Sequence, residues 1–201
     1  MCVYGPSGSG KSTLARAMAE ALGLPRLELD AVFHARPGWD DLPEDEFRAA
    51  VTVWLDEHRD GWVADGNYSA VRGLLLPEAD TVVWLRLPFR VVFPRLAWRT
   101  LSRAYTGEEL YNGNRETWRQ TLLSRDSMLL WGITNWRRST ARTAEALRGT
   151  THRPEVVELR STREVARLLR TVSAWRLDGV EAGVSGVDDA RRDALAEGDS
   201  L

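Results

Sequence analysis

The stretch Gly5-Pro6-Ser7-Gly8-Ser9-Gly10-Lys11-Ser12 fills every fixed position of the pattern G-x-x-x-x-G-K-[ST]. Few features restrict a fold as tightly, because such a loop has to leave a strand and enter a helix. Its glycines let the backbone turn with N–H groups inward, forming a concavity for an anion. The start of the following helix adds free amides and the positive end of its dipole. The flanking residues agree. Val3-Tyr4 ends a short strand, expected to be clipped at Met1, and Leu14, Met18, Ala21 and Leu22 recur at helical spacing until Gly23 and Pro25 stop the helix. Lys11 is placed to reach the β- and γ-phosphates of a nucleoside triphosphate and the Ser12 hydroxyl to ligate Mg²⁺. Gly5, Ser7, Gly8, Ser9, Gly10 and Thr13 complete the cradle. Lys11 is also the only lysine in the chain; every other cationic side chain except histidine is arginine. A compact ammonium is kept where a point charge on phosphate is needed.

Behind the loop, strand and helix patterns alternate. Arg26–Asp30 reads as a second strand, Gly61–Ala64 as a third, Thr81–Leu87 as a fourth and Pro154–Leu159 as a fifth. The fourth is a nearly unbroken apolar run of the kind found in parallel sheets. Helical spacing places Phe47, Val51, Trp54, Leu55 and His58 on one face after a capping box of Asp41 and Glu44, with His58 read as a packing residue. A short helix follows over Val71–Leu76, a longer one over Phe89–Ala104 and a closing one over Thr162–Val172. With 201 residues, 43% of them hydrophobic, this is one α/β domain over residues 1–175. Residues 105–140 form an arginine-bearing insertion. Residues 176–201 are an acidic, glycine-containing tail, expected to be flexible or a loosely docked helix.

Composition removes several classes of function. There is no apolar run of membrane-spanning length, no metal-ligand cluster and no nucleic-acid fingerprint, and with the phosphate loop beginning at residue 5 no signal peptide is expected. The single cysteine, Cys2, excludes an internal disulfide and fits a reducing cytoplasm. A net charge of −2 hides segregation: residues 28–80 carry thirteen acids against four arginines, and residues 86–148 twelve arginines against five acids. Such blocks are either two solvated faces or a functional asymmetry. Arg95, Arg99 and Arg103 share one helix face, as a solvated stripe or a row turned toward phosphates.

The chemistry beyond nucleotide binding rests on two strand ends. Asp30 follows Lys11 by nineteen residues and pairs with Glu28 in a Glu-x-Asp unit. On an ideal strand their side chains point to opposite faces. Asp30 is the candidate to orient or deprotonate an acceptor hydroxyl, with a strand-end turn as the plainer reading. Glu28 either binds Mg²⁺ through water or caps the strand. The third strand delivers Asp65-Gly66-Asn67-Tyr68, a second candidate site that also reads as a turn.

These residues resemble a family. The loop, Asp30-x-x-x-His34 and the arginine-rich insertion are similar to the small bacterial P-loop kinases of the nucleoside monophosphate kinase superfamily, relatives of adenylate, shikimate and gluconate kinases. Leu29-Asp30, Pro37-Gly38-Trp39, Asp65-Gly66-Asn67-Tyr68 and Asn112-Gly113-Asn114-Arg115-Glu116 resemble most the branch called adenylate kinase-like or DNA topology modulation proteins. The resemblance spans about residues 1–172. It implies a three-layer P-loop NTPase fold with a five-stranded parallel sheet flanked by helices. It also implies ATP with Mg²⁺, an acceptor site over the second and third strands, and a helical arginine lid carrying Arg115, Arg119 and Arg137. In shikimate- and gluconate-type kinases the aspartate at the place of Asp30 contacts the acceptor hydroxyl, and Asp65 takes the acidic position that holds the metal's water or the acceptor. His34, Arg36, Asn67, Tyr68 and Arg72 fall in the acceptor half.

That half departs from adenylate kinase. Arginines should grip the phosphate of AMP, yet here it is acidic, with Arg36 and Arg72 as its main cations. A phosphate dianion among carboxylates costs several kcal/mol of desolvation, so an uncharged or cationic acceptor is favoured. The expected function is transfer of the γ-phosphoryl group to a hydroxyl of a nucleoside- or sugar-like metabolite by a monomer or homodimer. Nucleoside monophosphate phosphorylation is the alternative within enzymes. An ATP-binding regulator of DNA or of a partner is the alternative outside them.

Overall fold

A computed structural model describes residues 1–37, 40–106, 128–150 and 154–178. Five strands, β1 (Cys2–Tyr4), β2 (Arg26–Glu28), β3 (Val63–Asp65), β4 (Thr81–Leu85) and β5 (Glu155–Leu159), form one sheet in the order β2-β3-β1-β4-β5, and every pairing is parallel. Among the described residues seven helices connect and flank them: α1 (Lys11–Leu22), α2 (Leu29–Phe33), α3 (Glu44–Glu57), α4 (Ser69–Leu75), α5 (Phe89–Thr106), α6 (Met128–Gly149) and α7 (Thr162–Asp178).

β1 lies in the middle, buried along its whole length, so its residues supply two cores by alternation. Val3 faces a layer made by Leu14 and Met18 of α1, Val92 of α5, and Leu168 and Val172 of α7. Cys2 and Tyr4 face the other layer with Phe47, Val51 and Leu55 of α3 and Val71 and Leu75 of α4. Parallel strands covered on both faces have to be apolar throughout, and Thr81–Leu85 is buried at every position. α6 joins the layers, with Trp136 against the first and Ala144 and Leu147 against the second.

Several boundaries differ from the sequence reading. β2 ends at Glu28, and Asp30 stands in the first turn of α2, not on a strand. The reason lies in its neighbour. β2 pairs with β3 only as far as Glu28↔Asp65, and Gly66 then leaves the ladder at φ 141°. A Cβ there would stand 2.8 Å from Leu29 Cβ, so only glycine lets the two chains pass. The alternation of Glu28 and Asp30 across a strand therefore does not apply. Likewise the Asp41–Glu44 capping box does not form: Pro43 occupies the N-cap of α3 without a side-chain bond, and Asp41 turns to His34. A box unread in the sequence opens α7, where the Ser161 hydroxyl donates to Glu164 at 2.8 Å and accepts from the Glu164 amide at 3.2 Å. β4 stops at Leu85 and α7 continues to Asp178. Within the arginine row of α5, Arg95 is exposed while Arg99 and Arg103 are half-buried. His58 is a half-buried packing residue as expected, but it sits at the C-cap of α3, stacked on Trp54. Gly38 and Trp39, residues 107–127 with Arg115 and Arg119, and the tail from 179 lie outside the described residues.

Candidate active site

The phosphate loop joins β1 to α1. The Ser9 amide donates to Pro6 O at 3.0 Å, and the loop then turns into α1 at Gly10 (φ 92°), which has no side chain to cap the helix. The first-turn amides of Lys11, Ser12 and Thr13 have no intrahelical acceptor and are directed at the loop's concavity. Gly8 (φ 85°) packs against α5 so closely that a Cβ would stand 2.7 Å from Val92 O. The loop is thus braced from the side by the helix that follows β4. Lys11 and Ser12 are half-buried and Thr13 is exposed.

The sheet register places Asp65 beside Val3 of β1 and Glu28 of β2. Its carboxyl is 2% exposed, with Arg26 Nη1 3.3 Å away. The Ser12 side chain hydrogen-bonds it, and Lys11 adds positive potential. Burial nevertheless dominates and raises its pKa above the ordinary value. A carboxylate held ionised against that burial is a ready partner for a dication. Together with the Ser12 hydroxyl it makes a set of hard oxygens suited to Mg²⁺, which binds through one or two protein oxygens, water and phosphates. Among the described residues no three His, Cys, Asp or Glu side chains cluster as a metal site. Glu28 is tied to Arg26. Arg26 went unread in the sequence, although its two-residue spacing from Glu28 puts both on one face of β2.

The Asp65-Gly66-Asn67-Tyr68 segment serves both halves of the site. Asn67 Nδ2 donates to Gly5 O at 2.5 Å, and Gly5 N–H donates to Asn67 Oδ1 at 3.3 Å, so this side chain is bound to the root of the phosphate loop. The Tyr68 hydroxyl donates to Asp30 Oδ1 at 2.8 Å while its ring packs on Phe33 and Phe47, with centroids 4.8 and 5.2 Å away. Asp30 is therefore fixed beyond the end of β2, on the edge of the sheet where the loop leaves β1. His34, one turn along α2, has Nδ1 2.6 Å from Asp41. Arg36 donates to Glu46 at 2.6 Å and lies 3.6 Å from Asp40. Arg72 of α4 lies over the Tyr4 ring, its Cζ 5.9 Å from the centroid.

Arg137 is not gathered with these residues. It is exposed on α6 in an open groove of 710 Å³, lined also by Trp84, Arg86, Trp136, Arg148 and Arg160, on the β4–β5 side of the sheet. There Glu158 bridges Arg86 at 3.0 Å and Arg160 at 2.9 Å, and those arginines lower its pKa. No described helix is long and apolar enough to cross a membrane.

A profile of the AAA domain family matches residues 1–168. A shikimate kinase of Halorhodospira halophila (strain DSM 244 / SL1) is 37% identical over 105 residues, an alignment spanning 46% of this chain and 59% of that enzyme. The chain thus matches well under two thirds of that relative's length. Among solved structures, the shikimate kinase of Acinetobacter baumannii in complex with shikimate superposes with a TM-score of 0.50 at 20% identity, covering 89% of this chain and 92% of that one. A gluconokinase of Sinorhizobium meliloti 1021 gives 0.46 at 22% identity, covering 90% and 92%. Matched over residues 1–168 and built on a phosphate loop set in a five-stranded parallel sheet, the chain belongs to the AAA domain family, with the fold of the small P-loop kinases.

Proposed function

We propose that this protein is an ATP-dependent kinase that transfers the γ-phosphoryl group to a hydroxyl of a small molecule seated beyond β2 and β3. The observation that carries the reading is the Asp30–Tyr68 pair on the same sheet edge as the Ser12–Asp65 corner. Such a reaction needs a cradle for the donor phosphates and a carboxylate beside the acceptor. Lys11 and the loop amides bind and orient the β- and γ-phosphates. Ser12 and Asp65 would hold Mg²⁺, which supplies charge neutralisation on the phosphates when bound. Tyr68 occupies one oxygen of Asp30. The other is available to accept the proton of the attacking hydroxyl, or to hold that hydroxyl in line. Asn67, read from sequence as an acceptor contact, is better assigned to holding the loop.

Acceptor chemistry is narrowed by where the arginines are spent. Arg26 is tied to Glu28 and Asp65, Arg36 to Glu46 and Asp40, Arg48 to Ala70 O and Arg59 to Asp56. Arg72 is the one arginine of residues 28–80 with no ion pair or carbonyl partner among the described residues, so a phosphate dianion would meet a single guanidinium unless such pairs broke, and a hydroxyl acceptor is favoured over a nucleoside monophosphate. The name of the Halorhodospira relative, shikimate kinase, supports the same choice. Arg137, with Arg115 and Arg119, is assigned to closing over the polyphosphate.

The test is ADP release with Mg-ATP and a panel of sugars, hydroxy acids, nucleosides and nucleoside monophosphates. Stimulation by a hydroxyl compound, abolished by Lys11→Ala, is expected. Stimulation by nucleoside monophosphates alone would replace this reading with the adenylate-type one, and no stimulation by any compound would remove both.

A further inference from the structure

One charged group of the Ser12–Asp65 corner has no task in the reading above. Arg26 and Glu28 stand two residues apart on β2 and so share a face, and the register sets Glu28 beside Asp65 of β3. All three point to the face on which Val63 meets α1. The Arg26 guanidinium reaches both acids: Nη1 lies 3.3 Å from Asp65 Oδ1, and Nη2 is paired with Glu28 Oε2. The Asp65 side chain is only 1% exposed, so water screens these charges little. Glu28 is near enough to oppose the ionisation of Asp65, while Ser12, Arg26 and Lys11 favour it.

Two carboxylates side by side near a serine hydroxyl would by themselves attract a divalent cation, because oxygen ligands and negative charge are what such ions select. We propose that Arg26 is a positioning residue, the internal counter-ion of the Glu28–Asp65 pair, and that it keeps this pair from capturing a metal ion before the nucleotide arrives. This rests on the assignment of Ser12 and Asp65 to Mg²⁺ in the kinase reading and adds what controls the metal's entry. By holding Glu28 Oε2 from two residues back on the same strand, Arg26 also keeps that carboxylate turned along β2, and Asp65 is left to face Ser12. Glu28, which the sequence offered as a metal ligand through water, is on this account the anchor of Arg26.

The charges decide the order of events. Asp65 and Glu28 are balanced by Arg26 and Lys11, so the corner by itself is neutral and offers a free dication no net attraction. The β- and γ-phosphates of ATP add negative charge beside Asp65 and engage Lys11, so the dication is attracted together with the nucleotide. Removing the guanidinium reverses this. A unit charge lost a few ångströms from a buried carboxylate is felt twice over by an ion of charge +2, and the pair then holds one negative charge in excess.

The experiment titrates the full chain, without nucleotide or acceptor, with Mn²⁺ as the paramagnetic stand-in for Mg²⁺, and reads the bound ion by electron paramagnetic resonance and water-proton relaxation. Arg26→Met should bind Mn²⁺ about tenfold or more tighter than wild type. Arg26→Lys, which keeps the charge, should stay within about threefold of wild type. Arg26→Gln, which keeps a donor for Asp65 without the charge, should behave like Arg26→Met, and it decides the matter should Arg26→Met fail to fold. In the double variant Arg26→Met/Asp65→Asn the gain should vanish, which places the captured ion at Asp65. No gain in Arg26→Met or Arg26→Gln, an equal gain in Arg26→Lys, or a gain that persists without Asp65 would overturn the proposal. So would a wild-type protein that binds Mn²⁺ as tightly without ATP as with it. An Arg26 that only braced β2 against β3 would, when replaced, lower the midpoint of urea unfolding and leave Mn²⁺ binding unmoved. Because neither nucleotide nor acceptor enters the Mn²⁺ titration of the variants, its outcome is distinct from a failure of the kinase reading, which would show as no compound driving ADP release.

Discussion

Asn67→Ala is the sharpest test of how the two halves of the site are joined. The Asn67 amide acts as a second backbone strand for Gly5, donating to its carbonyl at 2.5 Å and accepting from its N–H at 3.3 Å. Gly5 itself is buried, so truncation leaves a carbonyl and an amide without partners in a site with little room for water. A lost buried bond costs about 1–2 kcal/mol through the desolvated group left behind, and the longer bond counts at the low end. The sum is about 2–3 kcal/mol, read in urea unfolding as a lower midpoint at unchanged slope. For a chain of this size that corresponds to roughly 4–12 °C in Tm. Gly5 starts the phosphate loop, so the affinity for a fluorescent ATP analogue should fall as well. Asn67→Asp sharpens the argument. An ionised carboxylate can accept from Gly5 N–H but meets the Gly5 carbonyl with a second oxygen, whereas a protonated one restores the donor. The folded-state pKa of that new carboxyl is therefore raised, and the variant should recover stability relative to wild type as pH falls through it. An Asn67→Ala stability within about 0.5 kcal/mol of wild type, with ATP affinity unchanged, would refute the brace.

Asp65→Asn should separate stability from activity. The raised pKa of Asp65 means that the folded state holds a proton the unfolded chain releases, so the wild-type protein loses stability as pH rises from the ordinary value of 3.8 to the raised one. Without nucleotide, the variant should be at least as stable as wild type at pH 7, with that advantage vanishing below pH 3.8 in thermal melts, while Mg-dependent turnover falls about a hundredfold or more. Asp30→Asn should lower kcat about 10²–10⁴-fold with ATP affinity retained, and Tyr68→Phe should lower it less, since it frees the carboxylate without removing it. Gly8→Ala forces a Cβ to 2.7 Å from Val92 O at φ 85°, so about 2–4 kcal/mol of stability and much of the ATP affinity should be lost together, measured by urea unfolding and analogue binding.

How much of this was legible in the sequence depended on the range of the interaction. The phosphate loop, the alternation of strands and helices and the two-sided apolar run of β4 are written in local patterns, and all appear in the structure. Asp65 could be picked out because the strand end that carries it is marked by an Asp-Gly pair. Where β2 ends could not, because Leu29 turns away only where Gly66 of another strand leaves the ladder, a contact between residues far apart in the chain. The capping box at Asp41 failed for a similar reason: a better partner, His34, stands across the loop. Composition showed that residues 28–80 are acidic but not with what consequence. That the acids would occupy Arg26 and Arg36 and leave Arg72 over Tyr4 is a matter of pairing, which charge counts do not contain.

One tetrapeptide explains why the phosphate loop and Asp30 sit at a fixed distance. Asp65 meets Ser12 of α1, Gly66 lets Leu29 of α2 pass, Asn67 holds Gly5 of the phosphate loop and Tyr68 holds Asp30. Four consecutive residues thus touch four separate parts of the site, and a strand of only three residues supports them. Parallel pairing fixes that strand between β1 and β2 through the Val3↔Asp65 and Glu28↔Asp65 registers. A one-residue slip would turn Asp65 from the phosphates to the opposite face and carry Asn67 away from Gly5. The geometry that phosphoryl transfer needs, a carboxylate and a phosphate cradle held within a fraction of an ångström, is therefore set by the register of the central sheet, with side-chain bonds only locking what the register has already placed.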